Sequence, residues 1–343
     1  MKQQTSQLAP IWRDFRGPLD NELRSIVGDS SLPLYSMMRY HLGWVDEQGK
    51  PQQPGGKGLR PLLCLLACEA AGGDWRRALP AAAAVELAHN FSLIHDDIQD
   101  CSAERRNRPT VWSVWGAAQA INAGDSMHTL ARLAMLRLSS GGVPLVAVLE
   151  ATILLDEACL KLCEGQYLDI SYEKRLDVSV DDYLNMVRLK TAALFECSVG
   201  VGAVVGSGDA SKRQRLRRFG EALGMAFQVQ DDILGIWGEK GKVGKPVTGD
   251  IKQKKKSLPV VYGLQNADIG DRLAAIYSGG EITPADVAEV EQLLVRVGAR
   301  QYAEKMAGDF YKQAAAELLR VPMPDSSRSR LRVVADSLLG RSR

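Results

Sequence analysis

"PAAAAVELAHNFSLIHDDIQD", Pro80–Asp100, decides the fold. Apolar residues recur at helical spacing from Ala81 to Ile98, and the run is far too long for a strand. It predicts a helix over residues 77–101 that ends on three carboxylates, Asp96, Asp97 and Asp100, within about one turn. Like charges three or four residues apart each weaken a helix by roughly 0.2–0.5 kcal/mol. A chain that gathers them beside an apolar run gains nothing in helix stability. Taken alone, however, the cluster is equally consistent with a solvated helix end.

The same periodicity extends outward in both directions. It predicts helices over residues 60–71, 117–138, 145–170, 181–205 and 212–236, with shorter ones between about 258 and 339. Gly- and Pro-containing stretches such as "PGGKG", "AGGD" and "GEKGKVGKP" separate them. No alternating strand pattern, sequence repeat or low-complexity linker is evident. Hydrophobic residues make up 45% and aromatics only 6%, with abundant Ala and Leu, which favours helices. The expected architecture is all-α, one domain over residues 1–343, with long helices around a central cavity. Residues 1–54 and 322–343 are helical flanks of less definite role. The Arg-rich tail, with Arg328, Arg330, Arg332, Arg341 and Arg343, reads as a solvated helix or as a flap over an anion site.

Forty-three Lys and Arg face 41 Asp and Glu, a net charge of +2, which gives no general case for nucleic acid. Six cysteines form no CxxC, and two pairs lie four residues apart, as small buried residues on helices would. The N-terminus "MKQQTSQLAP" lacks an apolar signal core, and the richest apolar stretch is broken by Glu150, Asp156 and Glu157. The expectation is a cytoplasmic protein without a membrane span.

A second acidic pair answers the first. "FQVQDDILGIWG" places Asp231 and Asp232 after another apolar approach on another long helix. Two such helices can aim their carboxylates into one cavity. An oxygen-only donor set without a Cys or His cluster favours a hard ion such as Mg²⁺, which joins one or two carboxylates to substrate phosphates. Asp96 and Asp100, four apart, share a face and would chelate, with Asp97 turned partly aside. Cations stand close by: Lys57 and Arg60 in "GGKGLRP", Arg105, Arg106 and Arg108 in "ERRNRPT", Lys190 in "RLKTA", and Lys245, Lys252, Lys254, Lys255 and Lys256 in "GKPVTGDIKQKKKSLP". Mixed acidic and basic sites fit phosphate oxygens. The alanines Ala81–Ala84 and Ala88 either permit close helix packing or line an apolar tunnel. Phe91, about 7.5 Å below Asp96 along the helix, would be the tunnel's floor. No Walker loop, GxSxG or HExxH is present. A metal-bound diphosphate explains why none is needed. Once its charge is neutralised it leaves unaided, an allylic carbocation remains in a dry pocket, and the released diphosphate takes the final proton.

These residues make the chain resemble the trans-isoprenyl diphosphate synthases of the polyprenyl synthetase family, most closely the short-chain geranylgeranyl and farnesyl diphosphate synthases. The likeness runs from about residue 55 to 264 through "GGKGLRP", "ELAHNFSLIHDDIQD", "ERRNRPTVW", "KTA", "AFQVQDD" and "GKPVTGDIKQKKKSLP". It implies an all-α homodimer with three Mg²⁺ ions that condenses an allylic diphosphate head-to-tail with isopentenyl diphosphate. By motif position, Lys57, Arg60, His89 and Arg106 would hold isopentenyl diphosphate. Arg105, Lys190, Lys245 and Lys255 would hold the allylic diphosphate. Asp96, Asp100 and Asp231 would bind Mg²⁺, with Asp97 and Asp232 in support. Thr191 and Gln228 would stabilise the cation. Phe91 and the small Ser92 resemble the archaeal-type geranylgeranyl pattern, which implies products near C15 to C20. His95 reads as a satisfied interhelical histidine, and Met127 and His128 as either tunnel or core.

The chain departs from the family pattern at three places. Gly235 replaces the usual last aspartate of the second motif. Lys254 stands where glycine is usual, and Ser257 where threonine is usual. The first motif has two residues between its aspartates instead of four. Competing expectations are a class I terpene cyclase, whose Asn/Asp–Ser/Thr–Glu triad is missing where "QDDILG" stands; a non-catalytic partner subunit of a heteromeric synthase; and a structural helical protein with solvated acidic ends.

Overall fold

A computed structural model describes residues 2–52, 58–238 and 249–339, with side chains from Leu8 on. The predicted all-α class is observed. The helices are α1 (Lys2–Val27), α2 (Pro33–His41), α3 (Leu59–Ala71), α4 (Leu79–Gln99), α5 (Val111–Trp115), α6 (Ala117–Leu136), α7 (Leu145–Tyr172), α8 (Val180–Val187), α9 (Ala193–Gly206) and α10 (Ala210–Trp237). Six shorter or peripheral ones follow: α11 (Gly249–Lys252), α12 (Leu258–Leu264), α13 (Gly270–Ser278), α14 (Pro284–Arg296), α15 (Ala299–Leu319) and α16 (Asp325–Leu339).

The long helices form a bundle. α4 packs on α6, α3 on α9, and α9 on both α7 and α10, while α15 covers the other side of α10. The alanine run of α4 explains part of this. Ala81, Ala82, Ala83, Ala84 and Ala88 are all fully buried, and none of them lines either of the two cavities at the acidic helix ends. Of the two readings of that run, close packing is the observed one.

Helix ends fall within a few residues of the sequence expectation, with one exception. The helix expected over residues 181–205 is interrupted. Between α8 and α9, Arg188–Ala192 forms a single π-turn, the wider turn often found at functional sites. Periodicity could not show it, because one extra residue leaves the apolar pattern on either side intact. A second small departure lies in "ERRNRPT". Glu104–Arg105 and Arg108–Pro109 pair antiparallel as β1 and β2, joined by Arg106 (φ 54°) and Asn107 (φ 60°). Two successive left-handed residues make the two-residue hairpin turn whose twist suits the strands.

The C-terminal helix is no flap. α16 packs on α3 and α1, buries Leu331, Val334 and Leu338, and bonds Arg330 to Glu69 at 3.1 Å. Arg341 and Arg343 lie outside the described residues. Val180–Gly206 is long and apolar enough to cross a membrane by length and composition, yet 78% of its apolar window is buried within the bundle. A central core helix passes that test for the same compositional reason.

Candidate active site

α4 and α10 each bring an acidic cluster to their C-terminal turns. The negative end of a helix dipole disfavours carboxylates by roughly 0.3–1 kcal/mol each. The like charges on α4 add to that cost, so the clusters are kept for something other than helix stability. Asp96, Asp100 and Asp231 meet around a polar cavity of about 170 Å³, whose lining also includes Asp232, Lys190, Thr191, Gln228 and Lys255. A second cavity of about 330 Å³ shares Asp96, Lys190 and Thr191 with the first, and continues past Arg60, His89, Phe91, Ser92, Leu162, Ile170 and Leu194. A charged chamber and a largely apolar one therefore meet at Asp96, Lys190 and Thr191.

Asp97 points away from the first chamber, as its spacing suggested. It is 2% exposed, and its Oδ1 accepts from Arg105 Nε at 2.7 Å. The same guanidinium reaches Asp96 Oδ2 at 3.1 Å. Burial pushes Asp97 up to about 6 against the pull of Arg105. Burial and the neighbouring Asp96 raise Asp100 as well, while Lys255 and Lys190 oppose the shift. Lys190 Nζ lies 2.5 Å from Asp169 Oδ2 and 3.4 Å from Asp96 Oδ1. Burial would lower its pKa, but Asp169, Asp96 and Asp100 outweigh that, so it is raised and stays charged.

Asp232 is bound up in hydrogen bonds. Its Oδ2 accepts from the Tyr183 hydroxyl at 2.5 Å and from the Leu258 backbone N–H at 2.8 Å. Its Oδ1 accepts from Gln228 Nε2 at 2.9 Å, and Gln228 Oε1 in turn accepts from Thr191 Oγ1 at 2.8 Å. Burial pushes Asp232 up to about 7, opposed by these same donors.

On the other flank, Arg60 Nη1 donates to His89 Nε2 at 3.2 Å and stacks over Phe195 at 4.7 Å. Burial draws Arg60 down to about 10, while Glu86 pulls it back. Burial and the surrounding arginines hold His89 well below its ordinary value, so it faces the cavity as a neutral ring. Arg106 lies at the hairpin tip and is charge-coupled to Glu86 and Arg105. Lys57 and Lys245 lie outside the described residues.

In the lysine run, Lys255 lines the polar chamber, whereas Lys254 Nζ donates to the Gly279 carbonyl at 2.6 Å and Lys256 Nζ to the Glu173 carbonyl at 3.1 Å. Lys254 has φ 54°, which is the physical reason a glycine suits that position. Gly235 also finds an explanation. A Cβ there would collide with the carboxylate of Asp250, which itself lines the polar chamber. The carboxylate missing from residue 235 is thus accompanied by one that arrives from α11.

Phe91 is 6% exposed, and its ring meets His128 at 4.8 Å and His95 at 5.9 Å between centroids. His95 Nε2 lies 3.5 Å from Asp125 Oδ1 and packs against Gly124, the interhelical role expected. Met127 is fully buried core, and Ser92 Oγ bonds back to the His89 carbonyl at 2.8 Å.

Sequence reasoning did not single out Asp169, Tyr183, Asp250 or Gln166. Asp169 and Gln166 carried a signal, since these polar residues stand three apart, on one face of α7, in "EGQYLDI". Tyr183 and Asp250 carried none. The π-turn that presents Lys190 and Thr191 is pressed from behind by α7 at Gly165, where a Cβ would overlap the backbone of Leu189 and Lys190.

The donor set fits a hard divalent ion. It is all carboxylate oxygen, and Asp96, which lines the chamber, has a buried Oδ1 with no hydrogen-bond partner. No three His, Cys, Asp or Glu among the described residues form a closed metal cage. Mg²⁺ characteristically keeps several waters and takes substrate oxygens in place of a full protein cage.

The sequence profile of the Polyprenyl synthetase family matches residues 47–295. A (2E,6E)-farnesyl diphosphate synthase of Mycobacterium tuberculosis is 39% identical over 340 residues, 97% of this chain and 90% of its own. The crystal structure of a polyprenyl synthetase from Streptomyces coelicolor superposes with a TM-score of 0.86 at 37% identity, covering 99% of this chain and 98% of its own. A geranylgeranyl pyrophosphate synthase from Corynebacterium glutamicum, solved with isoprenyl diphosphate and magnesium, superposes with a TM-score of 0.81 at 26% identity, covering 94% and 97%.

Proposed function

The chain belongs to the polyprenyl synthetase family, and from that membership we propose that it condenses isopentenyl diphosphate head-to-tail with an allylic diphosphate to give an all-trans product of C20 or C15. It is a prenyltransferase of the prenyl diphosphate synthase type. The observation that carries the reading is the junction at Thr191, where a chamber of carboxylates and cations opens into an apolar one.

Asp96, Asp100 and Asp231 would hold Mg²⁺, up to three ions, from opposite sides of the polar chamber. Bound there, Mg²⁺ neutralises the diphosphate and makes it a leaving group. Arg105, Lys190 and Lys255 face the same oxygens. The C1–O bond of the allylic substrate breaks with its electron pair leaving on the diphosphate. Thr191 and Gln228 turn oxygen atoms toward the electron-poor C1. Arg60, His89 and Arg106 hold the second diphosphate, so that the C3=C4 pair of isopentenyl diphosphate attacks C1. The C2 proton then passes to the released diphosphate.

Phe91 would close the apolar chamber. Offering dimethylallyl, geranyl and farnesyl diphosphates, each with labelled isopentenyl diphosphate, should give C15 or C20 products, and Phe91→Ala should lengthen them. An unchanged product would remove Phe91 from the floor. Hydrocarbon formed from an allylic diphosphate alone would favour a terpene cyclase, and inactivity rescued only by another chain would favour a partner subunit.

We propose further that the whole chain acts as one domain, as a homodimer, in the cytoplasm. Leu133, Leu136, Leu145, Val146, Leu149 and Ile153 of α6 and α7 are 47–80% exposed, a wide apolar face that a second copy would cover. Sedimentation should give twice the 37.4 kDa chain mass, and a monomer at micromolar concentration would count against it. Six unpaired thiols fit a reducing compartment.

A further inference from the structure

Gln228 carries a primary amide whose two ends are nearly the same size and opposite in charge. Near an electron-poor carbon the difference is decisive, since the carbonyl oxygen attracts it and the NH₂ group repels it. Thr191 cannot choose between the two ends, because a hydroxyl both donates and accepts. The choice is made on the other side. In its ionised form Asp232 offers only acceptance, and its Oδ1 takes Gln228 Nε2 at 2.9 Å. The carbonyl oxygen is thereby turned to Thr191, at the mouth between the two chambers.

Asp232 is itself fixed. The Tyr183 hydroxyl at 2.5 Å and the Leu258 backbone N–H at 2.8 Å both hold Oδ2, which leaves Oδ1 directed at Gln228. Tyr183 is 2% exposed and Asp232 6%, at the wall of the polar chamber. The three side chains come from α8 and α10 and end on the π-turn, and they close a chain from Tyr183 through Asp232 and Gln228 to Thr191. Tyr183 and Asp232 line the polar chamber and not the apolar one, so the pair acts through Gln228 and not on the prenyl chain itself.

We propose that Tyr183 and Asp232 are positioning residues that lock the Gln228 amide with its carbonyl oxygen toward the reacting carbon, and that Asp232 serves this lock and not metal binding. The proposal rests on the prenyl diphosphate synthase reading. A flipped amide would leave C1 less stabilised, harder to form and less selective between the isopentenyl double bond and water. Water would then add its oxygen to C1 and lose a proton, giving the allylic alcohol in place of the condensation product.

The test is steady-state kinetics on the full chain with the allylic substrate, isopentenyl diphosphate and Mg²⁺. Tyr183→Phe keeps the ring and removes one bond to Asp232. It should lower kcat by about 10-fold, the effect of a lost hydrogen bond to a charged group. KM for both substrates and the Mg²⁺ half-saturation should stay within about 2-fold, and the share of allylic alcohol should rise. Asp232→Asn, which can donate as well as accept, should show the same signature more strongly. In a Gln228→Met background, Tyr183→Phe should lose its effect on kcat, because a residue that acts through another has nothing left to act on. A full Tyr183→Phe effect in that background, wild-type alcohol partition in both single variants, or a raised Mg²⁺ half-saturation in Asp232→Asn would overturn the lock. Absence of condensation by the unmodified chain would instead refute the functional reading beneath it.

Discussion

Asp96→Ala is expected to lower condensation by about a thousandfold or more, which corresponds to roughly 4 kcal/mol of lost transition-state stabilisation. Asp96 belongs to both chambers and stands 3.1 Å from Arg105 and 3.4 Å from Lys190. Its removal takes away a metal-facing carboxylate. It also removes one of the two carboxylates that hold each cation, leaving Arg105 on Asp97 and Lys190 on Asp169 alone. Stability should move in the opposite direction. Alanine is the better helix former, and the change deletes one of three like charges at the unfavourable end of α4. Unchanged helical circular dichroism with an equal or higher Tm, alongside the collapse in turnover, is the expected pair of results. Near-normal turnover would refute the role of Asp96 in holding metal and diphosphate.

Gly165→Ala should damage both the site and the packing through a single methyl group. Gly165 on α7 touches the backbone of the π-turn, where a Cβ would overlap Lys190 N and Cα. Backbone cannot rotate away as a side chain can, so the helices must part. Lys190 and Thr191 then move together relative to Asp96 and Gln228. A displacement of about 1 Å at a reacting centre costs on the order of 100-fold in rate. Overpacking adds a stability loss of roughly 1–3 kcal/mol. Gly308→Ala is the natural control. A Cβ at Gly308 meets nothing within 4 Å in the interior of α15, so the change should raise stability by up to about 1 kcal/mol and leave kcat alone. Equal kinetics for the two variants would show that the close approach at Gly165 does not position the site.

The helices were legible because each long segment keeps one apolar face, and burial of that face is what the sequence records. The acidic and basic motifs were legible because charged residues at the ends of apolar helices have no structural use there. Other features leave no such trace. The Lys190–Asp169 pair joins residues 21 apart on separate helices, and only packing reveals it. The Tyr183–Asp232 contact pairs a residue type common in any core with a carboxylate that the motif had already spoken for. The tail left two readings open, a solvated helix or a flap over an anion site. Arg330 answers Glu69, and the helix buries Leu331, Val334, Ala335 and Leu338 against α3 and α1. Gly235 reads as a loss in one dimension, and only in three does Asp250 occupy the vacated space.

The π-turn sets how this chain can change length. A regular helix advances about 100° per residue, and the wider turn at Arg188–Ala192 absorbs one residue out of phase with that advance. Everything upstream keeps its bearing because the wider turn takes up the extra residue. Substitutions within the turn alter individual contacts by degrees. Deletion of one residue within it would restore a regular helix with α8 on much the same bearing, whereas the same deletion inside α8 or α9 would swing everything beyond it about 100° around the axis. One-residue changes of length along this helix are therefore confined to the turn that joins the two chambers and shut out on either side of it.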